Sequence, residues 1–125
     1  VPAQHAIQVA LGGRQSIYEL TGTGGRLLRQ RNIAYEKLNE IPGVSAVKPM
    51  GSLYLFPRLD PNVYEIHDDA KLMLDILKAE KILMVQGTGF NWPNPDHFRV
   101  VTLPWASQIE NAIERLGNFL VSYKQ

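Results

Sequence analysis

Helical spacing or helical composition marks four stretches of this chain, and apolar residues crowd into short strand-like runs between them. From about Arg26 to Glu40, the residues Leu27, Ala34 and Leu38, with Ile41 just beyond, share one face, and Pro42-Gly43 ends the run. A second helix is predicted from Asp68 or Asp69 to about Glu80, rich in Leu72, Met73, Ile76 and Leu77. The clearest pattern is the last, with Ile109, Ile113, Leu116, Leu120 and Tyr123 on one stripe and Ser107 with Glu110 reading as a capping box at its start. Residues 3 to about 11 have helical composition and close on Gly12-Gly13. Strands are predicted at Val44 to Lys48, Ser52 to Pro57, Ile82 to Gln86 and Phe98 to Leu103, with loops at residues 60–62 and 87–96. The order helix, two strands, helix, two strands, helix, behind a helical arm, predicts an α+β fold: a small, largely antiparallel sheet covered by helices.

The pattern is broken most sharply at Arg99, a permanent charge in an apolar strand, after a loop carrying Gly, Asn and Pro. Alternation along Phe98 to Leu103 puts Arg99, Val101 and Leu103 on one side. A guanidinium offers a planar fork of donors that meets a carboxylate at two points, and placing it on a rigid strand is costly unless an anion meets it. Two readings stand for Arg99: it pairs with an Asp or Glu of the fold, or it receives an anionic ligand.

Other motifs carry less chemistry. Gly22-Thr23-Gly24-Gly25 precedes a helix but lacks the Gly-Lys-Ser/Thr ending of a phosphate loop and the glycine spacing of a dinucleotide site, and reads as a hinge. Ser45-Ala46-Val47-Lys48 has Ser-x-x-Lys spacing, but on a strand its serine and lysine point to opposite faces. His5, His67 and His97 show no metal-ligand spacing; His67-Asp68-Asp69 reads as a helix start and His97 as a hydrogen-bonded loop residue. Phe90, Trp92 and Trp105 have no basic stripe beside them to suggest base stacking, which favours apolar packing.

Composition narrows the class. The 125 residues carry 13 basic and 12 acidic side chains, so no global field draws the chain to nucleic acid or an anionic membrane. No cysteine is present, which rules out disulfides and thiolate metal sites within it. No apolar run approaches the ~20 residues that span a bilayer, and no targeting signature is seen, so the expected location is cytoplasmic. The opening Val1-Pro2-Ala3-Gln4-His5 has no initiator Met and reads as cut from a longer polypeptide.

Taken together, Val1 to Gly13, Lys48-Pro49-Met50-Gly51-Ser52-Leu53-Tyr54-Leu55-Phe56-Pro57, Val85-Gln86-Gly87-Thr88-Gly89-Phe90-Asn91-Trp92-Pro93, Pro95-Asp96-His97 and Phe98-Arg99-Val100-Val101 carry a resemblance. They are similar to the C-terminal part of fold-type I, pyridoxal-phosphate-dependent aminotransferases of class I, most of all the bacterial alanine (glutamate–pyruvate) enzymes. The resemblance covers essentially the whole chain. Ser52, where Ala is common, and Trp105, where a basic residue is common, are mild departures.

The resemblance implies that Arg99 binds the substrate's α-carboxylate. It makes residues 1–25 the tail of a large domain and a link, and residues 26–125 the small domain. It also implies pyridoxal 5'-phosphate as cofactor, amino-acid and keto-acid substrates, a missing large domain as partner and a homodimeric parent. The lysine that the family bonds to its cofactor, the acidic partner of the pyridine nitrogen and most phosphate ligands would lie upstream of Val1. None of Lys37, Lys48, Lys71, Lys78, Lys81 or Lys124 sits in the family's lysine motif, so the fragment alone is expected to be inactive. Without the resemblance, the same pattern allows a stand-alone α+β small-molecule-binding or protein-interaction module.

Overall fold

A computed structural model describes residues 1–125. Five α-helices and five short strands follow one another as α1 (Pro2–Gly12), α2 (Ser16–Thr21), α3 (Arg26–Glu40), β1 (Val44–Ser45), β2 (Tyr54–Leu55), β3 (Arg58–Leu59), α4 (Asp69–Glu80), β4 (Val85–Gln86), β5 (Phe98–Val101) and α5 (Ala106–Ser122). A 3-10 turn, Gly87–Phe90, follows β4 directly. The α+β architecture read from the sequence is the one observed, with helices packed on antiparallel strands.

The core forms where the periodic stripes meet. Ala34 and Leu38 of α3 face Ile109, Ile113, Leu116 and Leu120 of α5, and Leu72, Met73 and Ile76 of α4 join them. Gly117 of α5 lies so close to α3's end that a Cβ there would sit 3.3 Å from the Ile41 side chain. Leu55, Leu59 and Phe98 bring the strands into the same core. Gln30 is buried on the same face of α3 with neither amide atom hydrogen-bonded, a polar position the apolar pattern passes over.

Several boundaries differ from the sequence reading. There are two sheets: β1 pairs with β3, and β2, β5 and β4 form a second in that order, all antiparallel. The predicted strand Val44 to Lys48 shrinks to two residues, because Asn39 of α3 takes both the N–H and the carbonyl of Ala46. The predicted strand Ser52 to Pro57 keeps only Tyr54–Leu55 as β2, and an unpredicted strand, β3, starts just past Pro57, which lacks the N–H to continue one ladder. The start of α5 also moves: its N-cap is Trp105, whose backbone N–H donates to Gln108 Oε1 at 3.1 Å, so Ser107 and Glu110 lie inside the helix and form no capping box.

The N-terminal arm behaves differently from the rest. Residue after residue of α1 is exposed, Ile7, Val9 and Leu11 included. The segment Gly22 to Gly25 is a tight turn between α2 and α3, where a Cβ on Gly25 would collide with the Leu20 carbonyl oxygen at 2.3 Å. Glycine there lets two helices meet end to end.

Candidate functional site

Strand β5 has a helix-covered face and an open one. Phe98 is buried and Val100 half-buried against the core, while Arg99 and Val101 point away from it. The register Tyr54↔Val101 and Leu55↔Val100 puts Tyr54 on the open face beside Arg99, and Val85 of β4 lies directly opposite Arg99. No helix covers this face, so Tyr54, Phe56 and Val101 remain exposed around the charge.

The guanidinium of Arg99 is held between two aromatic rings. Its Cζ lies 4.8 Å from the Tyr54 ring centroid and 4.5 Å from that of Phe90. Such contacts contribute about 0.5–1 kcal/mol each at exposed sites and constrain the plane of the fork. Arg14, Arg58 and Arg115 each have a carboxylate partner, but Arg99 has none, and its Nε is buried without an acceptor. Of the two readings of Arg99, pairing with an Asp or Glu does not occur within these 125 residues. The arrangement is a pre-set cation whose hydrogen-bonding capacity is unused.

The loop between β4 and β5 supplies one of those rings. Gly87 packs on the His97 backbone, where a Cβ would lie 2.7 Å from the carbonyl oxygen, and its N–H donates to that oxygen at 2.8 Å. Thr88 is bound to Asp69 of α4 through both N–H and hydroxyl, at 2.9 and 2.7 Å. Asn91 closes the turn at φ 59°, a left-handed conformation that Asn tolerates better than most residues.

Beyond the turn, Asp96 gathers three donors: Trp92 Nε1 at 3.0 Å, Arg58 Nε at 3.2 Å and His97 Nδ1 at 2.7 Å. The His97 ring stacks on Phe56, with centroids 4.9 Å apart. Burial pushes the Asp96 carboxyl up, but the hydrogen bonds from His97, Trp92 and Arg58 outweigh it and hold the group below the usual aspartate range. His97 is thus the hydrogen-bonded loop residue that its position suggests.

The remaining sequence candidates lie apart. His5 is exposed on α1 and His67 pairs with Glu65 at 3.4 Å on the surface. No group of His, Cys, Asp or Glu with metal-binding geometry occurs. Lys37, Lys48, Lys71 and Lys81 are engaged with Glu40, the Tyr35 ring, Asp75 and the Lys78 carbonyl. The Arg99 guanidinium, flanked by the Tyr54 and Phe90 rings, can hold a carboxylate; one arginine and two rings do not make up a set that holds both the phosphate and the aldehyde of pyridoxal phosphate. Sequence reasoning missed Tyr54, Phe90, Asp69 and Thr88 as framing residues, because cross-strand register and a side-chain bond spanning 19 residues leave no local signal.

No family model matches the chain. Over all 125 residues it is 72% identical to an alanine aminotransferase of Mycobacterium tuberculosis, covering 29% of that protein. It is 59% identical over the same span to a glutamate–pyruvate aminotransferase of Escherichia coli, covering 31%. A crystal structure of an aminotransferase from Escherichia coli matches the whole chain with a TM-score of 0.95 at 59% identity, over 31% of its own length. An alanine aminotransferase from Pyrococcus furiosus matches 78% of the chain with a TM-score of 0.72 at 37% identity, over 24% of its own length. The chain thus spans less than a third of the curated relatives it matches.

Proposed function

Starting from a chain related throughout its length to aminotransferases, we propose that it is the C-terminal small domain of a pyridoxal-phosphate-dependent enzyme exchanging an amino group between alanine and 2-oxoglutarate, or glutamate and pyruvate. In this reading residues 1–25 end the large domain and form the link, and residues 26–125 are the small domain. Arg99 receives the substrate's α-carboxylate. A single observation carries this: a guanidinium fixed between Tyr54 and Phe90 on an uncovered sheet face, with no carboxylate of its own.

The chemistry suits the assignment. Amino acid and keto acid share one invariant group, the α-carboxylate, so one arginine serves both half-reactions. A bidentate contact to it contributes about 1.5–3 kcal/mol and fixes the substrate's orientation at the reacting carbon. Pyridoxal phosphate, when bound, supplies the electron sink. The residues of this chain bind and orient; the Tyr54 and Phe90 rings flank the guanidinium and constrain its plane. We read the parent as a cytoplasmic homodimer on the family resemblance, and no helix here is long and apolar enough to cross a membrane. A stand-alone binding module accounts less well for matches of this identity to segments of longer enzymes.

The test is kinetic and spectroscopic, on the full gene product. Its visible absorbance should shift on adding L-alanine. Arg99→Ala should lower kcat/KM for alanine by about ten- to a hundredfold, the loss of one charged hydrogen-bonded pair, while the cofactor band persists. Wild-type kcat/KM in that variant removes Arg99 from the site.

A further inference from the structure

We propose that Asp69 is a positioning residue for the carboxylate contact: its grip on Thr88 sets the Gly87–Phe90 turn so that the Phe90 ring backs the Arg99 guanidinium. The inference rests on the reading of Arg99 given above.

Asp69 is 4% exposed and has no cationic partner, an expensive state for a carboxylate. Helix capping does not explain it, because the neighbouring Asp68 already caps α4, accepting from the Lys71 N–H at 2.9 Å. Both Asp69 oxygens instead serve one residue of a different element. Oδ2 accepts from the Thr88 N–H and Oδ1 from the Thr88 hydroxyl, across 19 residues of sequence. Two bonds to a single residue fix orientation as well as position.

Packing does not explain it either. The only buried residue of the turn is Gly87, which has no side chain to add to the core. Phe90 is 45% exposed, yet its ring lies nearer the Arg99 Cζ than that of Tyr54 does. The Tyr54 ring stands on a strand, where sheet pairing fixes it; the Phe90 ring stands on a four-residue turn that follows a two-residue strand. The turn needs an external anchor, and Asp69 on the rigid α4 provides it. Loss of the anchor frees one jaw of the clamp and lets the fork sample orientations that miss the carboxylate.

The experiment is a double-mutant cycle on the full gene product, reading the Kd for pyruvate by calorimetry with the melting temperature as a folding control. Thr88→Val keeps the branched shape and the N–H but loses the hydroxyl, and should raise Kd about three- to tenfold, the range for one hydrogen bond. Thr88→Ser should restore Kd to within about twofold of wild type, because its hydroxyl reaches the same oxygen. In an Arg99→Lys background, which lacks the fork, Thr88→Val should add less than about twofold, as expected of coupled residues. Asp69→Ala should match Thr88→Val or exceed it; if that variant does not fold, the Thr88 pair decides. An unchanged Kd in Thr88→Val, or equal weakening in both backgrounds, overturns the positioning role and leaves Arg99 in place. An Arg99→Lys protein that binds pyruvate as wild type does overturns the carboxylate reading, and this inference with it.

Discussion

Lysine 81 ends α4 at φ 56° and ψ 31°, with its N–H bonded to the Leu77 carbonyl. A side chain in this left-handed region carries a steric cost of roughly 1–2 kcal/mol that glycine does not, which is why glycine prevails at such helix ends. The Nζ of Lys81 recovers part of that cost by donating to the Lys78 carbonyl at 2.7 Å, but the group is exposed. Lys81→Gly should therefore stabilise the protein by about 0.5–1 kcal/mol, after allowing for glycine's greater freedom when unfolded. A shift of the urea midpoint to higher denaturant at constant m-value checks this; a shift to lower denaturant would show the Nζ contact to dominate. Lys81 is far from the Arg99 face in role, so the gain should leave pyruvate affinity untouched.

Among the elements, the helices were legible and the strands much less so. A stripe such as Ile109, Ile113, Leu116 and Leu120 announces itself because helical hydrogen bonds are local and the burial pattern repeats over many turns. Leu116→Ala should then cost about 2–5 kcal/mol through lost burial and the cavity left behind, measurable by denaturation. Strands of two residues, by contrast, exist only through their partners. Arg58–Leu59 carries no alternation of its own and becomes β3 because Val44 and Ser45 lie opposite. The same divide runs through the site. Arg99 stood out as a charge in an apolar run, but its aromatic jaws depend on cross-strand register and on a side-chain bond between Asp69 and Thr88. Neither leaves a local trace. The supposed capping pair Ser107 and Glu110 failed for a related reason: the chain turns into α5 two residues earlier, at Trp105, where Gln108 can reach back.

At the scale of the whole molecule, the two sheets meet through a β-bridge between Arg58 and His97 and a bond from the Phe98 N–H to the Pro57 carbonyl, and the Asp96 carboxylate reinforces that seam. Arg58 belongs to β3 of the first sheet and His97 leads into β5 of the second; Asp96 binds both side chains, and its carbonyl accepts from the Leu59 N–H at 2.7 Å. The Asp96 side chain is mostly buried, and its pKa lies below the ordinary value because the three donors outweigh its burial. The sign follows from linkage. In the window between the lowered folded value and the ordinary unfolded one near ~3.9, the unfolded chain binds more protons, so stability rises with pH. The stabilisation is complete above the unfolded value and disappears as pH falls through the folded one. Asp75 is lowered as well, by hydrogen bonds from Lys71 and Tyr123, so the acid limb contains more than one group. Asp96→Asn separates them: it should reduce the slope of the urea midpoint against pH below about 4 while lowering the midpoint at neutral pH, where the wild-type carboxylate is charged. Because Asp96 also holds Trp92, next to the turn that carries Phe90, the same variant should weaken pyruvate binding. An unaltered acid slope would assign the limb to Asp75 alone.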